Sequence, residues 1–159
     1  MIGHEVIDDS ISIMQSMPVF GGVSEDALRY LLSLSEQRSF NRWDYIFHEG
    51  DTAASMYVIQ KGEVAVLKVR EEHELLLKEL QQGDCFGEMA LLDLYPRSCS
   101  VQAMNDVEAI EISQSAVFKL YEHDLEQFTI IQMNIGREIS RRLRLTGDQL
   151  FLATQGPSY

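Results

Sequence analysis

The sequence predicts an α+β fold, a β-rich centre held between helical flanks. Three observations carry that prediction. Between residues 38 and 112, short aliphatic and β-branched runs alternate with glycine-containing turns. On either side, over 1–37 and 114–154, apolar residues recur every three or four positions instead. The 159 residues, 45% of them hydrophobic, suffice for one domain with a core of useful size, so the whole of 1–159 is expected to form a single unit.

The clearest element of the first flank begins at Ser24. A serine followed by Glu25 and Asp26 suits a helix start, where free N–H groups and the dipole favour oxygen and negative charge. Leu28, Leu31, Leu32 and Leu34 then place an amphipathic helix over about 24–36. In the centre, Met56–Ile59, Glu63–Leu67, Glu74–Leu77, Ser98–Ala103 and Val107–Ile112 read as strands. Gly50-Asp51, Lys61-Gly62 and Gly83-Asp84 read as turns between them. Many short strands so spaced point to a sandwich, jelly roll or barrel. In the last flank, Phe128, Ile131, Ile135, Ile139 and Leu143 form one apolar stripe on a long helix. Arg137, Arg141, Arg142 and Arg144 read as its solvated polar side, with a site for an anion partner as the alternative. The stripe is longer than one β-domain can cover, so a homodimer through the 125–152 helix is expected. The tail Gly156–Tyr159 is expected to fray.

Composition narrows the function. Thirteen basic residues against 25 acidic ones leave a net charge of −12, which argues against a nucleic-acid surface. The N-terminus lacks the pattern of a signal peptide, and no apolar run is long enough to span a bilayer. Cys85 and Cys99 have neither disulfide-framework nor metal-site spacing, and a cytoplasmic setting follows. Glu71-Glu72-His73-Glu74 is the densest group of metal-ligand types. Alternation along a strand would divide it between two faces, so an exposed hairpin turn is the better reading. No nucleophile elbow, phosphate-loop lysine, zinc helix or dinucleotide glycine pattern is present. The expectation is a binding protein, with no metal and no catalytic residue.

The informative stretch is Gly83-Asp84-Cys85-Phe86-Gly87-Glu88-Met89-Ala90-Leu91-Leu92, followed by Pro96-Arg97-Ser98-Cys99-Ser100-Val101. Gly87 lets the backbone turn tightly and approach a ligand. The next residues can form one helical turn whose free N–H groups suit an anion. Arg97 brings a permanent planar cation matched to phosphate oxygens, and Ser98 a hydroxyl. Glu88 offers an acceptor for sugar hydroxyls. An anion holder beside a hydroxyl acceptor suits a nucleotide or a sugar phosphate. The plainer alternative is an ion pair between Glu88 and Arg97 that closes a loop.

Taken whole, Phe86–Leu92 and Pro96–Val101 resemble the phosphate-binding cassette of cyclic nucleotide-binding domains, as found in bacterial catabolite-activator-type receptors and in cyclic-nucleotide-regulated kinases and channels. The segments Ile46–Asp51 and Met56–Gly62 agree with the glycine framework of that family, and the resemblance covers about 18–154. It implies a double-stranded β-helix, a jelly-roll-like β-roll, flanked by N-terminal helices and a long C-terminal helix. It also implies a ligand set of Phe86, Gly87, Glu88, Met89, Ala90, Arg97, Ser98, Cys99 and Thr146. In that set Glu88 would bond the ribose 2′-hydroxyl, and Arg97 the exocyclic phosphate oxygens. Gly87, Met89 and Ser98 would complete the cradle. Arg141–Thr146 resembles the dimer helix of the bacterial receptors, where Thr146 would meet the adenine. The implied ligand is cAMP, with cGMP possible because a hydroxyl at the Ser98 place favours guanine in some kinases.

Two departures stand out. Cys99 replaces the usual alanine, and Gly147 stands where the bacterial receptors carry a base-contacting serine. Glycine within a helix costs about 1 kcal/mol against alanine, so a bend or loosening is expected there. The chain ends at Tyr159, soon after Thr146, where those receptors continue into a DNA-binding domain. The expected function is therefore a sensor that signals to a protein partner through movement of its C-terminal helix. The rivals are a ligand-free scaffold of the same fold and the sensor half of a transcription regulator.

Overall fold

A computed structural model describes residues 2–155, and the expectation for the tail Gly156–Tyr159 lies outside them. The N-terminal flank holds α1 (His4–Gln15), a 3-10 turn at Pro18–Phe20 and α2 (Glu25–Ser33). In α1, Ile7, Ile11 and Met14 fall on one face and are buried. The Ser24 side chain accepts the Ala27 N–H and caps α2 as expected, but α2 closes at Ser33, short of residue 36.

Eight strands follow: β1 (Glu36–Phe40), β2 (Tyr45–Phe47), β3 (Ser55–Lys61), β4 (Val64–Arg70), β5 (His73–Leu80), β6 (Cys85–Phe86), β7 (Ser100–Ala103) and β8 (Val107–Ser113). They form two four-stranded antiparallel sheets, ordered β1-β8-β3-β6 and β2-β7-β4-β5. The β-roll thus begins at Glu36 rather than 38, and the expected strand at 74–77 lies within β5. Glu71 and Glu72 do form the exposed turn between β4 and β5.

Strand β3 explains the layering. Ser55 to Ile59 are all buried, because both faces of this strand are covered. Met56 and Val58 join Ile110 and Ile112 in a core shared with the helices. Tyr57 and Ile59 point the other way and pack with Phe47, Val66, Phe86 and Val101 between the sheets. Period-two alternation therefore feeds two cores from one strand. Each fully buried aliphatic side chain contributes about 1.5–3 kcal/mol.

The C-terminal flank is α3 (Gln114–His123), capped by Ser113, and α4 (Leu125–Thr154), capped by Asp124. The 30-residue α4 runs unbroken through Gly147, contrary to the expected bend or loosening. Backbone hydrogen bonding along the helix outweighs a penalty of about 1 kcal/mol. Burial within α4 is confined to its first half, at Ile131, Asn134 and Ile135. The Asn134 amide donates to the carbonyls of Val19 at 3.1 Å and Gly21 at 2.8 Å. Further along, Leu143, Leu150, Phe151 and Leu152 are exposed.

Candidate functional site

The site grows from the end of β6. Phe86 pairs with Tyr57 on β3, and Gly87 then turns the chain with φ 77° and ψ 10°. That is the left-handed region, which costs a non-glycine residue about 1–2 kcal/mol. Space argues the same way. A Cβ on Gly87 would stand 2.7 Å from Arg97 Nη1 and 3.2 Å from the Ser55 carbonyl oxygen. Glu88–Leu91 then forms a 3-10 turn whose first N–H groups have no partner within the turn.

These elements wall a cavity of about 340 Å³. Phe86, Gly87, Glu88, Met89, Ala90, Arg97, Ser98 and Cys99 all line it, so eight of the nine sequence-derived residues meet in one place. Thr146 is not on its wall. It is exposed on α4, and its hydroxyl donates to the Arg142 carbonyl at 2.9 Å.

Arg97 is 8% exposed and has an unusual set of partners. Nη2 donates to the Ser55 carbonyl at 2.7 Å, and Nη1 to the Gly87 carbonyl at 3.3 Å. The guanidinium carbon sits 3.9 Å from the centroid of the Phe47 ring. Nε is buried with no partner. Among the described residues no carboxylate lies within ion-pairing distance of Arg97. Burial pushes its pKa down, opposed by Tyr57, Cys99, Glu111 and Asp51. The loop-closing Glu88–Arg97 ion pair, the plainer alternative from sequence, does not form.

Glu88, 2% exposed, has a different partner. Its Oε1 is ion-paired with Arg142 Nη1 of α4. The approach is ionic only, since Oε1 has no well-aligned hydrogen bond. Arg142, expected on the solvated side of α4, instead lines the cavity. Lys78, Asp93 and Tyr95 complete its rim, and Phe47, Ala53, Val66 and Val101 its apolar floor. Cys85 also faces the cavity, and burial pushes its thiol pKa up to about 12. Neither the Ser98 nor the Cys99 N–H has an acceptor among the described residues. A buried, uncompensated cation beside free amides is a receptor for an anion, and a buried carboxylate within the same cavity is an acceptor for hydroxyls.

Fold and site together define a β-roll whose cavity holds a buried guanidinium without a counter-charge and a buried carboxylate. The chain belongs to the cyclic nucleotide-binding domain family, whose pattern it matches over residues 37–124. A cyclic AMP receptor protein of Thermus thermophilus is 28% identical over 134 residues, 82% of this chain and 59% of its own length. Human cGMP-dependent protein kinase 2 is 32% identical over 108 residues, 66% of this chain and 13% of its own. The crystal structure of the Thermus thermophilus catabolite activator protein superposes with a TM-score of 0.76 at 28% identity, covering 86% of this chain and 63% of its own. A cyclic nucleotide-binding domain from Methylobacillus flagellatus shares the fold, with a TM-score of 0.82 at 23% identity over 98% of this chain and 88% of its own. The chain spans about three-fifths of the length of the bacterial receptors it matches.

Sequence reasoning missed Phe47, Lys78 and Arg142. Phe47 lies on β2 and Lys78 on β5, and neither side chain was singled out by its chemistry. Arg142 had one: it stands four residues before Thr146, hence on the same helix face.

Proposed function

We propose that this chain is a non-enzymatic sensor of a cyclic nucleotide, preferring cAMP to cGMP, and that it signals through its C-terminal helix to a protein partner. One observation carries the reading: Arg97 is buried without a counter-charge in a cavity that also holds Glu88. A phosphodiester supplies the missing negative charge, and each charged hydrogen bond it forms is worth about 1.5–3 kcal/mol. The ribose 2′-hydroxyl donates to Glu88. Relatives named for cAMP and for cGMP both match, so the preference for adenine rests on Thr146 alone. Thr146 is not on the cavity wall, but it stands one turn beyond Arg142 on the same helix face, so it would reach the base through a movement of α4 or from α4 of a second copy. A homodimer through residues 125–152 is part of the same reading.

The Arg142–Glu88 pair supports the signalling route, because it joins α4 directly to the residue that the ribose must engage. The Ser98 hydroxyl and the free N–H groups complete the phosphate cradle. Direct DNA contact is not part of this reading, given the net charge of −12. Calorimetric titration with cAMP, cGMP and linear AMP tests it. Saturable binding of a cyclic nucleotide, lost in Arg97→Ala, is expected. No binding of either cyclic nucleotide by the wild-type chain overturns the reading in favour of a ligand-free scaffold.

A further inference from the structure

A second layer of charge lies behind the phosphate cradle, outside the cavity wall. The turn after β2 holds the Arg97 backbone on both sides. The Gly50 N–H donates to the Arg97 carbonyl at 2.8 Å, and the Arg97 N–H donates to the Asp51 carbonyl at 2.8 Å. Glu49 ties that turn to β4. Its carboxylate pairs with Lys68 Nζ at 2.9 Å and with Arg70, and accepts the Val69 N–H at 3.2 Å. Its own N–H donates to the Ser100 hydroxyl at 2.8 Å. Lys68 then closes the circuit by donating to the Ser98 carbonyl.

The consequence for Arg97 and Ser98 is specific. The N–H and carbonyl of Arg97 and the carbonyl of Ser98 are all engaged by this network, whereas the Ser98 and Cys99 N–H groups remain free. With those peptide planes held, the free N–H groups have one direction in which to point.

We propose that Glu49 is a positioning residue for the phosphate cradle, acting through Lys68 and the Gly50–Asp51 turn to orient the Arg97 and Ser98 peptide groups. The proposal rests on the cyclic-nucleotide reading of the cavity. Lys68 and Arg70 hold the Glu49 carboxyl down at about 2, so it stays charged at any working pH. None of Glu49, Lys68 and Arg70 lines the cavity.

Simple electrostatics makes the opposite forecast, which allows a clean test. Removing an anion from the neighbourhood of a phosphate site should tighten anion binding. Loss of positioning should weaken it. In calorimetric titrations with cAMP, Glu49→Ala should bind about tenfold more weakly than wild type, the order found when the partners behind a metal ligand are removed. Glu49→Gln, which can still accept from Val69 and Lys68, should recover part of the loss. Lys68→Met should resemble Glu49→Ala, and the double variant should lose no more than either single one.

A readout independent of folding comes from the two phosphorothioate diastereomers of cAMP, which place sulfur at one or the other exocyclic position. Their affinity ratio should change in Glu49→Ala while the melting temperature of the ligand-free protein serves as control. Unchanged or tighter cAMP binding in Glu49→Ala overturns the proposal, as does a uniform loss with an unchanged diastereomer ratio. If the wild-type chain binds no cyclic nucleotide, the reading of the cavity itself fails, and that result is distinct from either.

Discussion

Gly87→Ala isolates what the left-handed turn contributes to binding. Two costs are separable at this position. The first is conformational: φ of 77° suits glycine, and alanine there loses about 1–2 kcal/mol. The second is steric and local. The new Cβ would stand 2.7 Å from Arg97 Nη1 and 3.2 Å from the Ser55 carbonyl, so the guanidinium must leave its place. Gly83→Ala is the matched control, with φ of 88° and nothing within 4 Å of the added carbon. Both variants should therefore melt lower, by about 2–4 °C for each kcal/mol lost in a domain of this size.

Only Gly87→Ala should lose affinity. Displacing the guanidinium from one charged hydrogen bond to the phosphate costs about 1.5–3 kcal/mol, hence about 10- to 150-fold in Kd. Thermal melts and calorimetric titration with cAMP on the two variants decide the matter. Equal losses of affinity would mean that binding follows stability and not the cradle. Wild-type affinity in Gly87→Ala would mean that Arg97 does not hold the phosphate where its geometry indicates.

The other predictions use the same protein and assays. Glu88→Gln should weaken cAMP binding while leaving a 2′-deoxy analogue nearly unaffected, and equal losses for both would remove Glu88 from the ribose. Wild-type protein should prefer cAMP to cGMP by about one to two orders of magnitude, and Thr146→Val should narrow that gap by weakening cAMP, on the scale of one polar group left unpaired. If competition titrations leave the gap intact in Thr146→Val, the base is read elsewhere. Light scattering at micromolar concentration should give the mass of a dimer, and a monomer mass with and without nucleotide would refute pairing through α4. Cys85 should alkylate slowly in the folded protein at pH 8, since a thiol raised to about 12 is almost wholly protonated there. Mass spectrometry showing Cys85 labelled as fast when folded as in denaturant would contradict that burial.

The sequence announced some parts of this molecule far more clearly than others. The cassette was legible because its chemistry is local: a turn glycine, a short helical turn, a carboxylate and a guanidinium lie within one short stretch. Strands β3, β4 and β8 were legible because their residues are buried and aliphatic. Strand β1 was not, since Glu-Gln-Arg-Ser-Phe shows no apolar alternation, and it exists because it pairs with β8 at the sheet edge. The two-residue β6 is too short to carry any pattern. Arg142 was misread for a reason of scale. Helical periodicity divides side chains into inner and outer faces, but an arginine stem is long enough to reach a cavity from the boundary between them. Glu49 and Lys68 were invisible because their meaning lies in a contact 19 positions apart in the chain, which only the folding of β4 against the β2 turn creates.

If nucleotide engages Glu88 as proposed, the contact of that residue with Arg142 ties two equilibria to a single constant. Whatever factor nucleotide applies to the docking of α4, the docking of α4 must apply to nucleotide, because a closed thermodynamic cycle allows no other value. A partner that grips α4 away from Glu88 would free the carboxylate and tighten the nucleotide. One that pressed α4 inward would loosen it by the same rule. On the sensor reading proposed above, the concentration at which this protein answers its ligand would be set partly by the company its last helix keeps, and two molecules of identical sequence in different assemblies would report on different ranges of nucleotide.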